Sequence, residues 1–232
     1  MMTTNLTKRI NERHYKGMKI VMFGDSITDM RHSREEQGSV FSYGSGYVFF
    51  VAGELLSENF DKYEIVNRGI SGNRIVDLYA RIKADVWNLH PDVLSILIGV
   101  NDVWHEIDSQ NGVESDRYER IYRTIIKETQ EKLPDCKIIL IEPFVLKGSA
   151  TEEKYDRFIQ VKEYAGKVKA IAKDFNLPFV SLQEKFDEAS SRYGVSKYLY
   201  DGVHPDVAGA KFIADEWLKI FRTEIDVKNS EV

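Results

Sequence analysis

The residues of this sequence best suited to chemistry are one serine, one histidine and one aspartate. Ser26 directly follows an apolar run, and Gly24 before it allows a tight turn. His204 lies three residues after Asp201, in a segment that Pro205 stiffens. Acyl transfer by a serine enzyme needs a hydroxyl nucleophile, an imidazole base and a carboxylate that orients the base. We therefore expect Ser26, His204 and Asp201 to act together in such a reaction.

A second set of residues could stabilise the negative charge that develops on a carbonyl oxygen during acyl transfer. The side-chain amide of Asn101 and the backbone N–H groups of Ser26 and Gly72 are donors of the kind that form an oxyanion hole. Each residue also has a simpler interpretation. Ser26 could cap a helix, Gly72 could serve an ordinary turn, and Asn101 could satisfy local backbone groups.

The positions of these residues relative to the predicted strands favour the chemical interpretation. Five apolar runs have the length of strands: Lys19–Phe23, Glu64–Asn67, Asp92–Ile98, Lys137–Ile141 and Pro178–Leu182. Most of them are continuous, which is typical of strands covered on both faces in a parallel sheet. Ser26, Gly72 and Asn101 follow three of these runs, and Asp201 and His204 lie beyond the last. Ligands bind at the carboxyl edge of an open α/β sheet, so we expect all five residues to meet there.

Amphipathic segments of helical period separate the predicted strands. They are Gly46–Asn59, Ile75–Leu89, Asp116–Leu133, Glu152–Phe175 and a last one from about Asp206 to Phe221. Strands that alternate with helices predict right-handed βαβ units and a three-layer α/β/α sandwich. We expect a single domain over residues 1–232, with an N-terminal extension over 1–17 and a polar tail over 226–232.

Composition excludes several classes of function. The formal net charge of -5 disfavours a nucleic-acid partner. The single cysteine, Cys136, excludes an intramolecular disulfide, and the histidines have no metal-ligand spacing, so we expect neither a metal nor an organic cofactor. The polar N-terminus does not resemble a signal peptide, and no run approaches the roughly 20 apolar residues of a membrane span. These features predict a soluble, cytoplasmic protein that does not bind membranes.

With these residues in view, the chain resembles the SGNH, or GDSL-type, hydrolase superfamily. Four blocks carry the resemblance, in order: Gly24-Asp25-Ser26-Ile27-Thr28, Ile70-Ser71-Gly72-Asn73, Gly99-Val100-Asn101-Asp102 and Asp201-Gly202-Val203-His204-Pro205. The resemblance implies a flavodoxin-like sheet of five parallel strands in the order 2-1-3-4-5. It also implies an oxyanion hole formed by the Ser26 and Gly72 amides and Asn101. Ile27 replaces the leucine of the name-giving motif, a change between apolar residues of similar volume.

Two longer strings are similar to the intracellular acetylxylan-esterase branch of this superfamily. They are Tyr43-Gly44-Ser45-Gly46-Tyr47-Val48 and Gly99-Val100-Asn101-Asp102-Val103-Trp104. This similarity implies a small-molecule ester substrate, namely an acetylated xylo-oligosaccharide or another acetylated sugar. We expect Asp25, Trp104 and Tyr200 to contact substrate, with Trp104 and Tyr200 stacking on a sugar ring; plain aromatic packing is the alternative.

Two other functions remain open at this point. The chain could be a lipase, lysophospholipase or thioesterase that acts on longer acyl chains, which would require an extended apolar groove. It could instead be an inactive, SGNH-like carbohydrate-binding module, although such a relative would usually lack one of the catalytic residues. The family resemblance also implies that the chain could form a homo-oligomer.

Overall fold

A computed structural model of the chain describes residues 17–227. Five parallel strands within these residues form one sheet in the order β2-β1-β3-β4-β5. The strands are β1 (Met18–Gly24), β2 (Tyr63–Gly69), β3 (Val93–Leu97), β4 (Lys137–Ile141) and β5 (Phe179–Val180). The predicted α/β class, strand order and parallel pairing are confirmed, although β5 is shorter than the predicted Pro178–Leu182.

The central strands are buried, and nearly all of their buried residues are apolar on both faces. All five residues of β3 are buried, as are the last five of β1. Gly24 at the end of β1 lies opposite Gly69 of β2 and Leu97 of β3. Three strand ends therefore lie at the same level, and the segments that follow them leave the sheet side by side.

Helical segments cover the sheet. In residues 17–227 the α-helices are α1 (Ser26–Asp29), α2 (Tyr47–Glu58), α3 (Ile75–Asp85), α4 (Val100–Ser109), α5 (Ser115–Lys132), α6 (Tyr155–Phe158), α7 (Val161–Asp174), α8 (Gln183–Tyr193) and α9 (Val207–Ile220). α2 packs against α9, and α5 contacts both α3 and α7. A buried hydrogen bond of 2.9 Å from Trp217 Nε1 on α9 to Ser95 Oγ ties that helix to the centre of β3.

The helices depart from the sequence prediction in two ways. The predicted continuous helix Glu152–Phe175 is wrong: it divides into a turn over Glu152–Lys154, the short α6, and α7. At the break, Gln160 N donates to Arg157 O and Lys162 N donates to Ile159 O. These are the tight three-residue bonds of a 3₁₀ turn, which interrupt the α-helical ladder. In addition, α1, α4 and α8 form where no helix was predicted.

The chain ends bear on the predicted domain boundaries. Residues 1–16 of the predicted extension and 228–232 of the predicted tail lie outside the described residues. Asp226, the first residue of that tail, accepts hydrogen bonds of 2.7 Å from Lys62 Nζ and 2.5 Å from Tyr63 Oη. The tail is therefore held against the domain at its first residue. No helix within residues 17–227 has the length and apolar character needed to cross a membrane.

Candidate active site

A cavity of about 660 Å³ opens at the carboxyl edge of the sheet. Segments after β1, β2 and β3 and the segment before α9 all contribute to its wall. Its lining includes most of the predicted site residues, which are Ser26, Gly72, Asn101, Trp104, Tyr200 and His204. The expectation that these residues meet at one sheet edge therefore matches their positions.

Ser26 is the first residue of the short helix α1, two residues beyond the end of β1. The residue that caps this helix is Asp25, whose Oδ1 accepts a 3.0 Å hydrogen bond from Ile27 N. The simpler interpretation, in which Ser26 caps a helix, is therefore wrong, because Asp25 is the cap. Because a buried strand and a capped helix turn fix the backbone on both sides, the hydroxyl of Ser26 has a fixed starting point at the cavity.

Ser26, His204 and Asp201 form one hydrogen-bonded chain. Ser26 Oγ and His204 Nε2 are 2.8 Å apart, although the residues are 178 positions apart in sequence. His204 Nδ1 and Asp201 Oδ2 are 2.7 Å apart. With the ring proton on Nδ1 donated to Asp201, Nε2 is free to accept the proton of the Ser26 hydroxyl.

The second oxygen of Asp201 shapes the loop that carries the histidine. Asp201 Oδ1 accepts hydrogen bonds from the backbone N–H groups of Val203, at 2.9 Å, and His204, at 2.8 Å. Burial favours the neutral acid, but these bonds and the bond from the His204 ring outweigh it and lower the pKa of Asp201. The group is therefore a carboxylate at neutral pH and positions both the loop and the ring.

The surroundings of His204 act on its pKa in opposite directions. Burial disfavours the charged ring, whereas the hydrogen bond and charge of Asp201 and the charge of Asp25 favour it; together they raise the pKa of His204. The ring also has two aromatic neighbours. Tyr200 stacks on it with centroids 5.6 Å apart and planes at 13°, while Trp104 is tilted with centroids 6.0 Å apart.

The predicted oxyanion donors lie in the same cavity. Asn101 is the second residue of α4, and its Nδ2 donates a 3.0 Å bond to Asn73 O, which leaves the other amide proton available. Gly72 has a φ of 82°, a left-handed conformation that favours glycine, and its N–H makes no hydrogen bond with the described residues. Ser26 N–H, at the start of α1, has no partner within that helix.

Asp25 differs from the prediction that it contacts substrate. Its side chain is only 1% exposed and does not line the cavity. Burial raises its pKa to about 7, and its Oδ2 has no hydrogen-bond partner among the described residues. This placement contradicts a direct contact with substrate. Asp25 acts on the site instead by capping α1 and through its charge near His204.

Sequence reasoning missed most of the cavity wall around these residues. Met30 and Arg31 follow α1 and line the cavity together with Ser45, while Asp108 lies on the wall that α4 forms. The signal that could have found this wall is the string Gly44-Ser45-Gly46. Its glycines come just before the first long helix, and Gly46 is the N-cap of α2.

Gly44 explains why that string is rich in glycine. Its φ is 74°, and a Cβ atom there would lie 2.5 Å from Asp29 O and 2.8 Å from Met30 O. Only glycine allows so close an approach of two backbone segments without strain. The segment after α1 therefore packs directly against the start of α2.

The described residues contain no obvious metal site. Within residues 17–227, no group of three or more histidine, cysteine, aspartate or glutamate side chains is arranged to hold a metal ion. Burial raises the pKa of the Cys136 thiol to about 12, so this group stays protonated at neutral pH.

Comparisons with known proteins agree with the geometry. Residues 22–212 match the family described as GDSL-like Lipase/Acylhydrolase. An acetylxylan esterase from Geobacillus stearothermophilus is 37% identical over 210 residues, which cover 88% of this chain and 93% of that protein.

Solved structures give the same result for the fold. A GDSL-like lipase candidate from Parabacteroides merdae is 38% identical with a TM-score of 0.82, over 88% of this chain and 95% of that one. Axe2, an acetylxylan esterase from Geobacillus stearothermophilus, is 36% identical with a TM-score of 0.79, over 90% of this chain and 95% of that one. Both the sequence match and the shared fold extend over most of the chain, which therefore belongs to the GDSL-like lipase/acylhydrolase family.

Proposed function

We propose that this protein is a serine carboxylic ester hydrolase in which Ser26 is the nucleophile, His204 the general base and Asp201 the residue that orients the base. The observation that carries this proposal is the unbroken hydrogen-bond chain from Ser26 Oγ through His204 to Asp201, at a cavity open to substrate. Membership of an acylhydrolase family supports the same reaction.

The first half of the reaction forms an acyl-enzyme. Ser26 Oγ attacks the ester carbonyl while His204 Nε2 takes the hydroxyl proton, and the negative charge of Asp201 stabilises the resulting imidazolium. The negatively charged oxygen of the tetrahedral intermediate accepts hydrogen bonds from the N–H groups of Ser26 and Gly72 and from the Asn101 amide. When this intermediate collapses, His204 returns the proton to the departing alcohol.

The second half of the reaction restores the enzyme. With the alcohol gone, a water molecule occupies its place, and neutral His204 removes a proton from it as it attacks the acyl carbonyl. The same donors stabilise the oxyanion of the second tetrahedral intermediate. Collapse expels Ser26 Oγ, which regains its proton from His204, and the carboxylic acid leaves.

The acyl group that we propose is acetyl, carried on a sugar. The relatives named as acetylxylan esterases support this choice. Two aromatic side chains also support it, because Trp104 and Tyr200 both line the cavity beside His204 and Tyr200 is 53% exposed. Exposed aromatic faces next to a reacting group suit the apolar face of a sugar ring.

The core test is the substitution Ser26→Ala. We expect it to lower kcat on a chromogenic acetate ester by roughly 10⁶, because the nucleophile is lost. Ser109→Ala is a matched control, since Ser109 lines the same cavity but donates only to His105 O, at 2.9 Å. Near-wild-type turnover by Ser26→Ala would refute the assignment. A wild-type protein that binds sugars without turnover would instead indicate a binding module.

A second candidate function is hydrolysis of longer acyl chains. An apolar pocket of about 470 Å³ adjoins the catalytic cavity and shares Met30, Arg31 and Ser45 with it. Other side chains at this pocket are exposed and apolar, including Val40, Phe41 and Phe49. A series of acyl esters of increasing length separates the two candidates. A preference for long chains would replace acetyl while leaving the roles of Ser26 and His204 unchanged.

Three broader expectations remain proposals. They are a single domain over residues 1–232, a cytoplasmic location and assembly as a homo-oligomer. Light scattering of the purified full-length chain measures the oligomeric state directly, and limited proteolysis tests whether the terminal residues form part of the domain.

A further inference from the structure

The catalytic cavity contains one arginine that lacks a protein partner. Arg31 is exposed and lines the cavity together with Ser26 and Tyr200, yet within residues 17–227 its guanidinium makes no hydrogen bond or ion pair. Arg34, three positions further on, contrasts with it by donating two bonds of 3.1 Å to the carboxylate of Asp85. The charge of Arg31 is thus available to a ligand in the cavity.

No other group of the cavity neutralises this charge. Among the described residues that line it, Asp108 is the only carboxylate. That carboxylate is already occupied, since Oδ1 accepts from Lys154 Nζ at 3.2 Å and Oδ2 accepts from Trp104 Nε1 at 2.8 Å. The cavity therefore presents a positive charge on its Arg31 side, although the whole chain has a net charge of -5.

The backbone holds Arg31 in an unusual conformation close to the nucleophile. Met30 and Arg31 have φ values of 37° and 62°, a left-handed region that side chains disfavour. Neighbouring bonds impose it: Met30 N donates to Ser26 O at 3.0 Å, and Met30 O accepts from Ser45 N at 2.9 Å. Such outliers concentrate at functional sites, where the surrounding structure imposes the backbone conformation. The backbone of Arg31 is accordingly held at a set position relative to Ser26, and its side chain is available to a ligand.

We propose that Arg31 binds a carboxylate on the alcohol portion of the substrate, so that the preferred substrates are acetyl esters of acidic alcohols such as sugar acids. This inference rests on the proposed function. An acetyl group is small and uncharged, so an anionic group must belong to the alcohol. A planar guanidinium donates two parallel bonds to a carboxylate or to a phosphate. Arg31 is the only lysine or arginine among the described residues that line the cavity, and its single positive charge matches the single negative charge of a carboxylate.

The test compares two acetate esters that differ in one charge. They are para-acetoxybenzoate, which is anionic, and para-acetoxybenzamide, which is neutral. We expect Arg31→Gln to lower kcat/KM for the anionic ester by about tenfold, the size of a hydrogen-bonded charge pair, and to leave the neutral ester nearly unchanged. Arg31→Lys should keep part of the preference. Because exposed charges are screened, higher salt should also reduce the preference of the wild-type protein.

Controls make the result specific to this cavity. Lys169→Gln removes the same charge from an exposed position on α7, away from the cavity, and should change neither substrate. Thermal unfolding reports whether each variant folds; if Arg31→Gln does not, the Lys variant and the salt dependence carry the test. An equal change in both esters, or an unchanged ratio, overturns the proposal while the neutral ester still reports an active esterase. Failure of the wild-type protein on both esters overturns the proposed function and this inference with it.

Discussion

Replacement of Asp201 by asparagine separates the catalytic role of this residue from its structural role. The two oxygens of Asp201 have different partners: Oδ1 accepts from the backbone N–H groups of Val203 and His204, and Oδ2 accepts from the His204 ring. Asparagine keeps one oxygen, which can retain both backbone bonds. Its NH₂ group then replaces Oδ2, 2.7 Å from His204 Nδ1.

This exchange reverses the tautomer of the histidine. An NH₂ group can only donate, so Nδ1 must lose its proton and become the acceptor. The ring proton then resides on Nε2 and faces Ser26 Oγ at 2.8 Å, where it blocks removal of the hydroxyl proton. The opposite rotamer of the amide gives no escape, because it would direct the NH₂ group at the two backbone N–H groups. The same exchange in other serine triads lowers kcat by roughly 10⁴, and we expect a similar loss here. This loss corresponds to about 5 kcal/mol of transition-state stabilisation.

The assay is kcat for a chromogenic acetate ester, measured together with thermal unfolding. We expect Asp201→Asn to unfold close to the wild-type temperature, because the two loop bonds remain. Asp206→Asn is the matched control: it makes the same chemical change nearby, at the cap of α9, where asparagine serves as well as aspartate. A folded Asp201→Asn protein within tenfold of wild-type activity would refute the tautomer argument.

Two further predictions follow from the same geometry. Asn101→Ala should lower kcat by roughly 10²–10³ without a comparable rise in KM, because the lost donor acts on the transition state; an unchanged kcat would exclude Asn101 from the oxyanion hole. Activity should fall with acid as His204 is protonated, and since Asp201 raises the pKa of that ring, the loss should begin above its ordinary value of 6.5. A kcat/KM profile that stays flat down to about pH 5 would contradict this role for His204.

The sequence was sufficient to identify the residues that converge, since convergence follows from topology. Apolar runs without alternation predict buried parallel strands, and parallel strands deliver their carboxyl ends to one edge. Ser26, Gly72 and Asn101 each follow such an end within a few residues. His204 is less obvious, because α8 and a further loop separate it from β5. Its spacing from Asp201 and the superfamily block that contains both residues indicated its position.

The sequence was not sufficient for the surroundings of those residues. α4 escaped prediction because it begins directly after Gly99, a poor helix former, and has the polar residues Asn101 and Asp102 in its first turn. Asp25 was expected to face substrate because it adjoins Ser26. Adjacent residues at a strand end can point in opposite directions, and the carboxyl group of Asp25 is buried.

The catalytic residues and Arg31 also differ in whether their positions can be inferred for a relative from its sequence motifs. The catalytic geometry depends on short local devices, such as the cap of α1 and the three-residue spacing of Asp201 and His204, so it accompanies the motifs themselves. The position of Arg31 depends instead on packing between the segment after α1 and the Gly44–Ser45 turn, which the catalytic motifs do not specify. Relatives with the same nucleophile and base can therefore accept different alcohols. For this protein, we expect the charge of Arg31 to discriminate among acetyl esters in a way that the triad cannot.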